Sequence, residues 1–129
     1  MEHSHLPHDH GQKIEGMSER MPSVEAFQAV SEMFKQLGDG SRTRIFWLLC
    51  HCEECVINIS ALVDMSSPAV SHHLRQLKNG GLITSRREGK EVYYRAADTP
   101  QSRLLHHVIE ELVEITCPQM ASGNSQPQA

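Results

Sequence analysis

Residues 66–95 read SSPAVSHHLRQLKNGGLITSRREGKEVYYR. Val70, Leu74 and Leu77 recur at helical spacing, so this stretch opens as a short helix with one buried face. Ser67 is expected to cap it, with Pro68 at the first helical position, where a missing N–H costs nothing. Asn79-Gly80-Gly81 stops it, because Asn and Gly tolerate the left-handed backbone of a helix end. Two β segments follow, Leu82–Arg87 and Glu91–Arg95, joined by Glu88-Gly89-Lys90. A helix followed at once by a basic hairpin predicts a winged helix-turn-helix, mostly α with a small β wing.

The elements around it fit that reading. Upstream, 56–64 reads as a short helix carrying Ile59, Leu62 and Val63, and Met65-Ser66 forms the turn. Before it, Ser41 is expected to cap a helix running through Ile45, Leu48 and Leu49. A further stripe of Val24, Phe27, Val30, Phe34 and Leu37 predicts a helix over 23–37, ended by Gly38-Asp39-Gly40. A last helix is expected over 99–116, carrying Leu104, Leu105, Val108, Ile109, Leu112 and Val113. This organisation predicts a polar, disordered, His-containing arm over 1–22, one domain over 23–116 and a disordered tail over 117–129.

Charge points to DNA as the partner. The chain has 129 residues and a formal charge of −4, yet residues 72–95 alone sum to +4. Focused positive charge on an acidic body neutralises phosphates while discouraging non-specific adhesion. Groove entry needs short or flexible polar groups at the start of the second helix, and Ser66, Ser67, Ser71, His72, Arg75 and Gln76 supply them. Arg and Gln make bidentate contacts with guanine and adenine edges. Ser and Lys78 suit phosphates, which fix position rather than sequence. Arg86, Arg87 and Lys90 of the hairpin are expected along the backbone or minor groove. His73 is expected to bond within its own domain, and one of Tyr93 and Tyr94 to lie in the core.

Cys50-His51-Cys52-Glu53-Glu54-Cys55 lies just before the reading element. Three soft ligands at C-x-C-x-x-C spacing suit zinc, cadmium, lead, cuprous or arsenite ions. Cys117 can complete a tetrahedral set or pair oxidatively. His3, His5, His8 and His10 in the arm add borderline ligands, for zinc and, less favourably, nickel or cobalt. No run reaches the length of a membrane span, and the start lacks a secretory pattern, so a cytoplasmic protein is expected. Neither an H-x-E with P-C-x-x-C nor an H-E-x-x-H pattern occurs, so no enzyme is expected.

The stretch 66–95, together with Leu37-Gly-Asp-Gly-Ser-Arg-Thr-Arg-Ile, resembles the ArsR/SmtB metal-sensing repressors over about residues 24–115. The resemblance implies a homodimer on a palindromic operator, joined through its first and last helices and released when an inducer binds. It places Cys55 at the first Cys of the family's E-x-C-V-C-D site, but Ile57 stands at the second. It also places Asp98, Glu111 and Glu114 at the family's last-helix site, where Pro100 replaces one ligand. His106 and His107 lie nearby, and a shifted site of His107, Glu111 and Glu114 is one reading. In some members the arm supplies ligands to the partner's thiolate site. A thiol redox or persulfide sensor, using Cys50 or Cys55 with Cys117, is the alternative. Trp47 stands where redox members carry a Cys.

Overall fold

The computed structural model describes residues 6–119. His3, His5 and the tail from 120 onward lie outside the described residues. The chain divides into two units, meeting between Phe34 and Lys35. The first holds a single helical turn, α1 (Met17–Arg20), and most of α2 (Val24–Gln36). Ser23 caps α2 by accepting a hydrogen bond from the Ala26 N–H at 3.1 Å. The apolar stripe of α2 is not buried: Val24, Phe27, Val30 and Phe34 are all exposed.

The second unit carries α3 (Gly40–Leu49), β1 (Glu54–Cys55), α4 (Val56–Val63), α5 (Ser67–Asn79), β2 (Ile83–Glu88), β3 (Glu91–Ala96) and α6 (Pro100–Thr116). Its core is Ile45, Phe46 and Leu49 of α3, Ile59 and Val63 of α4, and Val70, Leu74 and Leu77 of α5, with Leu82, Ile83, Ala97 and Leu105. These are the residues that helical and strand periodicity turn inward, and their burial is the main drive for folding.

Two caps differ from the expected ones. The carboxylate of Asp39, not Ser41, caps α3, accepting from the N–H groups of Ser41 at 2.8 Å and Arg42 at 3.1 Å. These bonds, the one from Arg42 foremost, hold the Asp39 carboxyl below its usual range. Ser66, not Ser67, caps α5 by accepting from Ala69 N–H at 3.3 Å. Ser67 instead meets Ser60 hydroxyl to hydroxyl at 3.2 Å, tying α4 to α5. Between these helices Asp64 closes the turn at φ 57°, a left-handed conformation that Asp adopts more readily than bulkier residues.

The wing is also larger than expected. The turn is two residues, Gly89-Lys90, because Glu88 pairs with Glu91 at the hairpin's end. A third strand joins it: β1 pairs antiparallel with β3, Glu54 opposite Tyr94 and Cys55 opposite Tyr93. Neither tyrosine enters the core, since both are half-buried. Tyr93 instead lies under the Arg86 guanidinium, 5.0 Å from ring centre to Cζ. The buried Ser102 hydroxyl donates to the Leu82 carbonyl at 3.0 Å, which fixes the start of α6 against the root of the wing.

Candidate metal centre and nucleic-acid interface

The face expected to read DNA is formed by α5 and the hairpin. With Val70, Leu74 and Leu77 turned inward, Ser66, Ser67, His72, Arg75, Gln76 and Lys78 are left exposed, and Ser71 is half-exposed. His73 is held inside the unit, its Nδ1 3.4 Å from Nη1 of Arg42. Burial is the main cause that lowers its pKa. Lys78 donates to the Ser85 hydroxyl at 2.7 Å, linking helix to wing. Arg87 and Lys90 are exposed along the hairpin.

Arg86 is engaged differently. Its Nε and Nη2 donate to the two Glu53 carboxylate oxygens at 2.8 and 2.9 Å, and Nη1 pairs with Glu88. The bidentate bond holds Glu53 below the usual carboxylate range. Glu53 lies inside the cysteine cluster, so the thiol loop and a wing arginine share one planar contact.

The thiols sit on three different elements. Cys50 is the C-cap of α3, Cys52 lies in the following loop with its Sγ 3.5 Å from the Leu48 carbonyl, and Cys55 ends β1 and precedes α4. All four cysteines are free thiols and half-exposed. Burial, aided by the Glu110 charge, pushes the Cys50 thiol up to about 12, and burial also raises Cys52. Cys50 and Cys52 line a cleft of about 430 Å³ with Glu53, Asp98, Ser102 and His106. The three thiols of the motif do not converge as a ligand set in this conformation.

The remaining expected ligands are dispersed. Asp98 is exposed and paired with Arg103. His107 and Glu111 are exposed and 3.9 Å apart, and Glu114 is exposed. In the arm, the His8 and His10 rings stack with centroids 5.7 Å apart. Among the described residues, the side chains brought to ligand distance are His51, His106 and Glu110. His106 stands out in the sequence beside the last-helix site, but the trio does not. Its signals were a His between two cysteines and a His and Glu one turn apart at 106 and 110, and nothing local connects the two.

The model of the bacterial regulatory protein arsR family matches residues 39–85, which span α3 to the start of the wing. Over 105 residues the chain is 34% identical to the transcriptional repressor SmtB homolog of Synechocystis, covering 81% of this chain and 80% of that one. The chain belongs to the ArsR/SmtB family. It is 36% identical over 86 residues to the cadmium resistance transcriptional regulatory protein CadC of Listeria innocua, covering 66% of this chain and 71% of CadC. Among solved structures, one neighbour is the homodimeric winged helix-turn-helix DNA-binding domain of a possible ArsR-family regulator from Mycobacterium bovis. That match has 32% identity and a TM-score of 0.60, and covers 79% of this chain and 90% of the neighbour. Membership makes this chain a DNA-binding transcriptional regulator rather than an enzyme. Among its described residues no helix is long and apolar enough to cross a membrane.

Proposed function

We propose that this ArsR/SmtB chain is a cytoplasmic, metal-responsive repressor that leaves its operator when a thiophilic or borderline ion, such as zinc or cadmium, binds. Lead fits the same soft ligands, and nickel or cobalt fits them less well. Cys50, Cys52 and Cys55 are the core ligands. His3, His5, His8, His10 and Cys117 are the available supplements, and the dispersed set of Asp98, His107, Glu111 and Glu114 is the weaker alternative. The observation that carries the reading is the Glu53–Arg86 contact. Gathering three thiols from the end of α3, the loop and β1 onto one ion must reshape residues 50–55. Glu53 rides on that loop, and Arg86 is a wing residue poised for the DNA backbone. Operator release then requires that the reshaped loop hold Arg86 more firmly or shift the wing through the pairing of β1 with β3. A coupling of about 1.4 kcal/mol suffices for a tenfold change in operator affinity.

The repressor works as a homodimer on a palindromic operator. Support comes from the homodimeric neighbour and from apolar stripes left exposed on the single chain: Val24, Phe27, Val30 and Phe34 on α2, and Leu104, Leu112 and Ile115 on α6. Base contacts fall to Arg75 and Gln76, with His72 beside them. Phosphate contacts fall to Ser66, Ser67, Ser71, Lys78, Arg86, Arg87 and Lys90.

The redox or persulfide reading is the weaker one. Reactive cysteines need a populated thiolate, and burial drives Cys50 and Cys52 the other way. A metal removes that proton itself on binding. The test is an anaerobic titration of reduced protein with Zn²⁺, Cd²⁺ and Ni²⁺, followed by ultraviolet absorption and operator binding. A thiolate-to-metal band at one ion per chain, lost with operator release in Cys52→Ser, is the expected result. Operator release by oxidant alone, without any metal band, would overturn it.

A further inference from the structure

The trio of His51, His106 and Glu110 contains no sulfur and is not explained by the reading above. His51 sits in the turn after α3, its N–H donating to the Leu48 carbonyl at 2.9 Å. His106 and Glu110 stand one turn apart on α6, on the same helix face. Their three donor atoms form a compact triangle. His51 Nε2 and His106 Nε2 are 3.1 Å apart, His106 Nε2 and Glu110 Oε2 3.2 Å, and His51 Nε2 and Glu110 Oε2 3.5 Å. A tetrahedral ion with ligand bonds of about 2.0–2.1 Å sets its ligands about 3.3 Å from one another. The triangle has that size before any ion enters.

The chemistry of the triangle favours an ion as well. Two imidazole Nε2 atoms and a carboxylate oxygen are three lone-pair donors pointed at one another. Protons can satisfy only part of that set, whereas one divalent cation satisfies all of it. Trp47 holds the arrangement from behind. Its ring lies 4.2 Å from the His51 ring, and its N–H donates to Glu110 Oε2 at 2.7 Å. An outer hydrogen bond of this kind orients a ligand and is common around metal sites. The side chains remain 29–48% exposed, which leaves a route in and room for water as a fourth ligand.

We propose that His51, His106 and Glu110 form a second, sulfur-free site for a borderline divalent cation of the zinc, cobalt or nickel class, which clamps the end of α3 to α6. Imidazole and carboxylate ligands suit these ions. The site is independent of the cysteine reading, since none of its ligands is a thiol and each site can be lost without the other.

Trp47 is the chain's single tryptophan and touches two of the three ligands. It therefore reports on this site directly. The experiment is a titration of the reduced full chain with Co²⁺, reading Trp47 fluorescence and cobalt absorption together. Wild type, Cys52→Ser/Cys55→Ser, His106→Ala, Glu110→Gln and His107→Ala are compared. Saturable quenching at one cobalt per chain is expected in wild type, in the double cysteine variant and in His107→Ala. Either His106→Ala or Glu110→Gln should weaken it by more than roughly tenfold. Circular dichroism identifies the folded variants, and Glu110→Gln, at an exposed position, carries the test alone if His106→Ala unfolds. Quenching unchanged in the folded ligand variants, or abolished in the cysteine variant, would overturn the proposal. Quenching that persists while no sulfur-to-cobalt band appears would defeat the thiolate reading and leave this site standing.

Discussion

The reading helix and the thiol loop are neighbours in sequence but are specified in opposite ways. Everything that shapes α5 lies between Ser66 and Gly80: a Ser66 cap, Pro68 near the start, an inward stripe of Val70, Leu74 and Leu77, and Gly80 at its end. The loop at residues 50–55 has no such autonomy. Glu53 finds Arg86 33 residues on, and His51 finds His106 55 residues on. A region built from local signals can be rigid before any ligand arrives. A region whose contacts come from distant elements can be rearranged by whatever alters one of them, which is what a regulator needs beside its DNA-reading surface.

The largest expected effect tests the rigid side of that contrast. Leu74 is 1% exposed at the centre of α5, and Ile57, next to the thiol loop, is 69% exposed. Leu74→Ala should lower stability by about 2–5 kcal/mol in urea unfolding, through lost burial and the cavity left behind. Ile57→Ala should stay within about 0.5 kcal/mol. Equal losses at the two positions would mean that the start of α4, which follows the thiol loop, is as firmly packed as the centre of α5, and the contrast would weaken.

Next in size is the support behind the histidine triangle. Trp47→Phe keeps most of the aromatic surface but removes the N–H that holds Glu110. Cobalt affinity at the sulfur-free site should fall roughly tenfold, read from ligand-field absorption because the fluorophore is gone. An unchanged affinity would show that the triangle needs no outer support.

The reading element was legible in the sequence because its causes are short-range. Hydrophobic period, a cap, a proline and a pair of glycines each act within one helical turn, and together they determined the order of helices and wing. The slip from Ser67 to Ser66 is small, since adjacent serines offer the same hydroxyl and only the backbone chooses between them. Asp39 is masked as a cap because it stands between Gly38 and Gly40, which carry the signature of a helix stop. The β1 strand was illegible: two residues, Glu54 and Cys55, carry no alternation of their own and become a strand only against Tyr93 and Tyr94. The histidine triangle was illegible for the same reason. C-x-C-x-x-C draws attention to sulfur, while the His inside it acquires its partners only when α6 folds back.

A smaller effect sharpens the local side. Ser66→Ala removes the one side-chain cap of α5 and should cost about 1 kcal/mol in stability. Ser67→Ala, which removes only the hydroxyl contact to Ser60, should cost less. If the order were reversed, the cap would lie where the sequence pattern first suggested it.

The smallest effect tests the side-chain contact that joins the thiol loop to the wing. Arg86 and Glu53 are half and nearly one-third exposed, so solvent screens their pair and it contributes little to stability. Its value is in what it withholds. While Glu53 grips two nitrogens of Arg86, that guanidinium meets phosphate only by giving up the carboxylate. Glu53→Gln loosens the grip and removes a negative charge from beside the DNA backbone. Metal-free protein should then bind its operator severalfold more tightly, and the slope of log affinity against log salt should steepen by up to about 0.9, as for one added phosphate contact. Cadmium should also release the variant less completely, because the connection between loop and wing is cut. If affinity and salt slope both stay unchanged while metal still releases the operator, Arg86 does not carry the signal. The coupling would then have to run through the β1–β3 pairing, the other physical connection between the cysteines and the wing.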